Sequence, residues 1–270
     1  KFAENPKDEP KTVSAKQRID ELARRFNNKS AKETIKNPEF KQWLLERLID
    51  IRYFGATITV GDEDERSGGF MTFTGPLQFT WGYSLNRAEI LPSSTITSHF
   101  AGREQEEKGQ YGTMGKDWRI KYALLAFYGI VSAWRAKGTR LSDKDLTLFD
   151  SSIVKAIPLI ATTRSKLNQT PRLYLRIEYK DDQTFFGDPR TWISLSRKEG
   201  LANIADVQLE YSDLISRLNE HRGKIEKIVF WTHSDFVGGK ELIRELEEKG
   251  FKHQDISKSN DKPVTYFYEG

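Results

Sequence analysis

The residues best suited to chemistry are few and scattered. Histidine occurs four times, at His99, His221, His233 and His253. None has a second histidine at metal-ligand spacing, and there is no H-E-x-x-H pattern. Cysteine is absent, which excludes disulfides and thiolate metal sites. His233 stands in "FWTHSD" beside Ser234 and Asp235, a grouping that suggests a Ser–His–Asp triad. A triad needs three groups converging in space with an oxyanion hole, whereas consecutive residues of an extended chain point to alternating faces. The segment therefore reads as the polar end of a strand. "GTMG" at residues 112–115 lacks the Walker sequence and its G-K-[ST] ending, although Lys116 follows directly. Ahead of a helix, such a loop can turn backbone N–H groups and a positive helix end toward a phosphate. The alternative is a flexible strand-to-helix turn, and the spacing alone favours neither. The acidic loop "GDEDER" lacks the EF-hand spacing and reads as solvated loop. "ELIRELEEKG" reads as a salt-bridged helix face.

Positive charge is gathered more purposefully. The 270 residues carry a net charge of only +4. Yet residues 111–140 hold Lys116, Arg119, Lys121, Arg135, Lys137 and Arg140 against Asp117 alone. Residues 155–180 hold Lys155, Arg164, Lys166, Arg172, Arg176 and Lys180 against Glu178 alone. Two such segments are the footprint expected for a polyanion partner; the plainer reading is two solvated basic faces. Aromatics make up 12% of the chain, and Tyr53, Phe54, Phe79, Trp81 and Tyr83 crowd one region. Aromatics on a sheet beside Arg and Lys can stack bases, but most strand aromatics are core. Leu77, Phe79, Trp81 and Tyr83 share one strand face, with Gln78, Thr80 and Gly82 on the other. Packing on one side follows, with Trp81 in the core.

These groups must be positioned by elements that the hydrophobic pattern suggests. Ser14 and Gln17 form a capping box ahead of a helix bearing Ile19, Leu22, Ala23 and Phe26. Residues 27–37 read as loop. Asn37-Pro38 opens a helix over about 38–49, with Phe40, Trp43, Leu44 and Leu48 on its apolar face. A strand is expected over residues 50–60, and a second in "FTGPLQFTWGYSLNRAEI". Residues 91–113 read as a short strand and a charged, Gly-flanked tip. Ile120, Leu124, Phe127, Tyr128, Val131 and Trp134 have helical spacing, which predicts a helix over about 116–137. Ser142 and Asp145 cap another over about 142–155. Strands follow at 172–180, 225–232 and 263–268, with helices at 211–221 and 239–248, the latter stopped by Gly250. That rhythm is α+β, a ferredoxin-like sheet backed by helices. No apolar run of about 18 residues exists, nor a signal peptide, so a cytoplasmic location without membrane contact is expected. The chain begins with Lys1 rather than Met, and a start inside a longer native chain is expected.

In order and wording, "DIRYFGATITV" (50–60), "GPLQFTWGYSLNRAEI" (75–90) and "YGTMGKDWRIKYALLAFYGIVSA" (111–133) resemble a known family. They are similar to the backbone subunit of the Cascade surveillance complex of type I-B CRISPR systems, in the RAMP superfamily. "LSDKDLTLFDSSI" (141–153) fits the family's next helix, and "KFAENPKDEP" a shortened Asn-Pro-rich loop. The resemblance spans roughly residues 45–160 and implies an RRM-like palm, helical fingers and a long β-hairpin thumb. It implies one domain over residues 1–270, with 14–49 as the finger region and 82–113 as the thumb.

Several copies would line up along one CRISPR RNA, with complementary target DNA held through the guide and other Cascade subunits as partners. The RNA-binding set expected is Asn86, Arg87, Gly112, Thr113, Met114, Gly115, Lys116, Arg119, Lys121, Arg164 and Lys166, with Ile96, His99 and Phe100 as a thumb wedge. Base pairing carries the sequence information, so such a protein should hold phosphate and sugar and leave base edges free. No catalytic residue, cofactor or metal is expected. Some type III relatives cut target RNA with an Asp on a palm loop, and Asp8 with Glu9 is the acidic candidate near that loop. The alternatives are thus a RAMP-type metal-dependent endoribonuclease and, further off, an unrelated α+β scaffold.

Overall fold

The computed structural model describes residues 14–60, 69–98, 113–163 and 166–258, with backbone alone at 93–98 and 113–117. Two compact units emerge. One comprises residues up to Phe79 together with Gly129–Ile153, the other Thr80–Tyr128 together with residues from Val154 onward.

Helix α1 (Ala15–Asn27) starts on the capping box read from the sequence. Ser14 Oγ accepts from Gln17 N at 3.2 Å, and Gln17 Oε1 accepts from Ser14 N at 2.8 Å. Residues read as loop contain a further turn, α2 (Ala31–Thr34), closed by a second box between Ser30 and Glu33. Helix α3 (Pro38–Arg47) follows Asn37, whose Oδ1 accepts from Glu39 N at 2.9 Å. Ile19, Leu22, Ala23, Ile35, Phe40 and Leu44 close one core. The strand expected from residue 50 begins five residues late. Residues 49–54 form helix α4 (Ile49–Phe54) instead. Arg52 reaches back to the end of α3, donating to the Leu45 carbonyl at 2.6 Å and the Glu46 carbonyl at 3.3 Å, and so satisfies orphan acceptors of that helix. Gly55, at φ +76°, then turns the chain into β1 (Gly55–Val60). This strand pairs antiparallel with β2 (Gly69–Thr74), from Gly55↔Thr74 to Val60↔Gly69.

Strand β3 (Leu77–Phe79) is short, and β4 (Tyr83–Ser84) and β5 (Ile90–Ser98) follow it. The chain returns along β6 (Thr113–Ile120), β7 (Leu125–Ala126) and β8 (Gly129–Val131). The antiparallel registers are nested: Leu77↔Val131, Tyr83↔Ala126, Ile90↔Ile120 and Ser98↔Thr113. The helix expected over 116–137 is therefore absent up to residue 132. Its aromatic and β-branched residues suit strands, and each short ladder supplies a cross-strand partner that spacing alone does not reveal. Helix begins only at α5 (Ala133–Thr139), where Ser132 Oγ accepts from Arg135 N at 3.3 Å. Helix α6 (Asp143–Leu159) carries the expected Ser142–Asp145 box, with Asp145 N donating to Ser142 Oγ at 3.2 Å and Ser142 N to Asp145 Oδ2 at 3.0 Å.

The last third keeps the expected alternation: β9 (Leu173–Tyr179), the short pair β10 (Ser194–Leu195) and β11 (Leu209–Glu210), α7 (Ser212–Glu220), β12 (Ile225–Thr232) and α8 (Val237–Glu248). Strand β12 is central, antiparallel to β9 and parallel to β13 (His253–Asp255). Leu214, Leu218, Leu242 and Leu246 pack from the helices onto Ile225 and Ile228. Gly250 stops α8 at φ +72°. The third strand, β13, was not anticipated; the strand expected at 263–268 lies outside the described residues. The architecture is α+β. Among the described residues, no helix is long and apolar enough to cross a membrane.

Candidate nucleic-acid interface

The ribbon formed by β5 and β6 is rooted at Ser84–Arg87, where the second unit's core holds the chain. Leu85 packs with Tyr122 and Leu124 against Leu195, Leu201, Val207 and Phe236. Its N–H donates to the Leu124 carbonyl at 2.8 Å. Asn86 is 5% exposed, and its amide bridges the outgoing and returning chains. Oδ1 accepts from Leu124 N at 2.8 Å and from Ser84 Oγ at 3.1 Å. Nδ2 donates to the Tyr122 carbonyl at 3.2 Å and the Arg87 carbonyl at 3.3 Å. An amide so engaged is a bracket between strands, and the structure places it inward. Arg87 points outward, with its N–H on the Lys198 carbonyl at 2.8 Å and its guanidinium on Glu199 at 2.9 Å. That pair is exposed and weak, so a polyanion can compete for the arginine.

Along the return strand, Arg119 is exposed opposite Leu91. Lys121 is exposed as well; its N–H donates to the Glu89 carbonyl at 2.9 Å and its Nζ lies 3.4 Å from Glu89 Oε2. Thr113, Met114, Gly115 and Lys116 are strand residues facing Ser98, Thr97, Ile96 and Thr95 in register. The loop-then-helix reading of "GTMG" is thereby corrected: residues 113–115 open β6, and no helix N-terminus follows to meet a phosphate. The side chains of these four residues and of Ile96 lie outside the description, as do Gly112, His99, Phe100 and Arg164 altogether. Lys166 is exposed in a turn closed by its own N–H on the Thr163 carbonyl at 2.9 Å.

The expected core face of the opening strand is also corrected. Leu77 is buried at 1% exposed, but Trp81 is 94% exposed and Tyr83 is partly open. The strand breaks after Phe79, so the alternation that would bury Trp81 is not continued. Arg190, which sequence reasoning missed, supports this segment. Its Nη1 donates to the Trp81 carbonyl at 2.7 Å and the Ala126 carbonyl at 3.4 Å. Its guanidinium lies 4.5 Å from the Tyr83 ring centre and 5.9 Å from that of Tyr128. Asp188 fixes the other edge of the guanidinium, with contacts of 2.6 to 3.0 Å. The only local signal was Asp188-Pro189, which opens the short 3₁₀ turn Pro189–Trp192. Burial, with Tyr179 and Asp188 nearby, pushes the Tyr128 hydroxyl up to about 12 against the pull of Arg190.

Elsewhere, Arg172 donates to both Asp235 oxygens at 2.7 and 2.8 Å, and His233 Nδ1 meets the same carboxylate. The "THSD" segment is thus an ion-pair node at the end of β12, as its reading as a polar strand end anticipated. Among the described residues, no group of three His, Asp or Glu side chains is arranged to hold a metal ion. The "GDEDER" loop and Asp8 lie outside them.

Comparison with known proteins supplies the class. A family model described as CRISPR-associated protein Cas7 matches residues 6–212. A curated CRISPR-associated protein Cas7 from Haloferax volcanii is 30% identical over 197 residues, 68% of this chain. The chain belongs to the Cas7 family. It spans 57% of the length of that curated relative. Among solved structures, a chain of a "CRISPR RNA-guided surveillance complex, pre-nicking" aligns over 82% of this chain and 55% of its own, at TM-score 0.40 and 11% identity.

Proposed function

We propose that this chain is a CRISPR RNA-binding backbone subunit of a type I-B Cascade complex, several copies of which line one guide RNA. Membership in the Cas7 family is the observation that carries the reading. The geometry suits it. The three-stranded sheet with α7 and α8 would serve as an RRM-like palm, α1–α4 as fingers, and the β5–β6 ribbon as a thumb whose root Asn86 holds. Arg87, Arg119, Lys121 and Lys166 stand exposed near that ribbon's base or in an adjoining basic segment of sequence, and supply attraction for phosphates without demanding particular bases.

The reading is of a non-catalytic clamp. Sequence discrimination lies in guide–target pairing, and the protein's task is to hold the backbone of the guide. Sequencing of RNA that co-purifies with the chain and its companion subunits tests it. A uniform, repeat-flanked length is expected, and a preparation that carries no RNA and binds none would refute it. Metal-dependent cleavage of complementary RNA at regular spacing, lost in Asp8→Ala, would instead establish the endoribonuclease reading.

A further inference from the structure

Helices α7 and α8 flank a groove of about 490 Å³ that opens to solvent. Clefts that hold ligands span roughly 300–1,000 Å³. Every lining residue belongs to the second unit. Leu209, Tyr211 and Ile215 supply apolar surface, and Ile215 is buried. Glu210 from β11 and Glu241 and Glu245 from α8 supply charge, opposed among the described lining residues by Lys249 alone. The reading of "ELIRELEEKG" as a salt-bridged face holds for only part of it. Arg244 pairs with Glu248 at 3.5 Å and His253 with Glu247 at 3.3 Å. Among the described residues, the carboxylates of Glu210, Glu241 and Glu245 have neither a hydrogen bond nor an ion pair. Glu241 and Glu245 repel each other at i, i+4, and Glu245 lies in the last turn of α8, where the helix dipole opposes a carboxylate. Burial pushes the Tyr211 hydroxyl up, and Glu245, Glu241 and Glu210 add to the rise against the pull of Arg244.

The charge and its spacing select the occupant. Unpaired carboxylates repel a phosphate backbone and attract cations. Among the described residues no three carboxylates converge as a metal ion would need. Instead, Glu241 and Glu245 stand one helical turn apart, about 6 Å along the axis. Alternate residues of an extended chain are spaced by about 7 Å, so its cations can meet carboxylates so placed in turn. The apolar surface suits the aliphatic stems of Lys and Arg, and the Tyr211 ring suits their charged heads. We propose that the α7–α8 groove docks an extended segment of a partner protein that carries Lys or Arg at alternate positions. RNA binding by this chain is not a premise of that docking.

The probe is a fluorescein-labelled octapeptide of alternating arginine and serine, titrated with the full chain and followed by anisotropy from low to moderate salt. Saturable binding to the parent is expected, weakening as salt rises. Glu241→Gln combined with Glu245→Gln should weaken it about fivefold or more, the scale of two exposed ion pairs. This groove variant should melt at or slightly above the parent, because a like-charge pair is relieved. Glu39→Gln combined with Glu220→Gln makes the same change in net charge on exposed carboxylates outside the groove, and should leave affinity within about twofold of the parent. Ser216→Arg, at an exposed lining position, should block the probe with a cation of its own. A parent that does not bind the probe would overturn the proposal. So would equal affinity in the parent and the groove variant, or equal losses in both double variants, which would report net charge alone. An octapeptide with its four arginines contiguous, bound as tightly, would refute the alternate spacing. Groove-dependent binding of spermidine without binding of the peptide would make the groove a polyamine site and refute a protein partner. Self-association of the parent that the groove variant loses would make a second copy the occupant and refute it too.

Discussion

Replacing Asn86 with alanine separates a bracket from an RNA contact. The substitution removes four hydrogen bonds from a side chain that is 5% exposed. The Leu124 N–H, bonded at 2.8 Å, loses its partner in a half-buried position, at a cost of roughly 1–2 kcal/mol. The Tyr122 and Arg87 carbonyls and the Ser84 hydroxyl are more easily rehydrated, at roughly 0.5 kcal/mol each. A loss of about 2–4 kcal/mol is expected, read as a lower urea midpoint with an unchanged slope. Ser84→Ala removes only the 3.1 Å bond and should cost less than about 1 kcal/mol. Binding of single-stranded RNA, measured by fluorescence anisotropy from low to high salt, should keep the parent's salt slope, because no cation is lost. If Asn86→Ala unfolds like the parent but binds RNA poorly, the amide touches the guide and the bracket argument is wrong.

Three further outcomes follow from the geometry. Arg119→Gln combined with Lys121→Gln should flatten the salt dependence of RNA affinity by about 1.4 in logarithmic slope if both cations meet phosphates, and an unchanged slope would show that this strand edge faces elsewhere.

Arg52→Met should cost about 3–5 kcal/mol, because it strips Asp145, bonded at 2.7 and 3.1 Å, of its cation. Burial by itself would raise the Asp145 carboxyl, but bonds from Arg52 and Ser142 outweigh it and hold the group below its ordinary value. The stability this supplies is present above the unfolded value near 3.9 and drains away as pH falls below about 4, so urea midpoints of the parent should decline there. A flat acid profile would refute the assignment.

Gly75→Ala should destabilise the first unit by several kcal/mol, since the new Cβ would sit 2.2 Å from the Phe54 carbonyl carbon. Gly138→Ala, in open space on α5, should instead gain up to about 1 kcal/mol. Equal melting of the two variants would contradict the packing described at Gly75.

The parts of the fold that were legible in the sequence are those whose cause is local. Ser14 with Gln17, Asn37 with Pro38, and Ser142 with Asp145 announce helix starts because the capping partners lie within three residues. Strands β9 and β12 and helix α8 were read correctly from period and stop signals, and the quoted motifs pointed to the family that the comparisons bear out. Lys121, exposed at the ribbon's root, came from charge counting, and Arg87 from the resemblance to the family.

Tertiary structure decided what depends on partners distant in the chain. Residues 116–131 belong to the stretch whose apolar positions suggest a helix, yet much of it is strand because residues 77–98 are there to pair with it. Trp81 alternates like a core residue and ends in solvent, since its strand breaks and Arg190, 109 positions away, seizes its carbonyl instead. Asn86 carries no mark of burial in its own segment; what buries it is the return of Tyr122 and Leu124. Caps and periods are written in spacings of two to four residues, whereas exposure and pairing are free-energy choices made among all the surfaces the folded chain brings together.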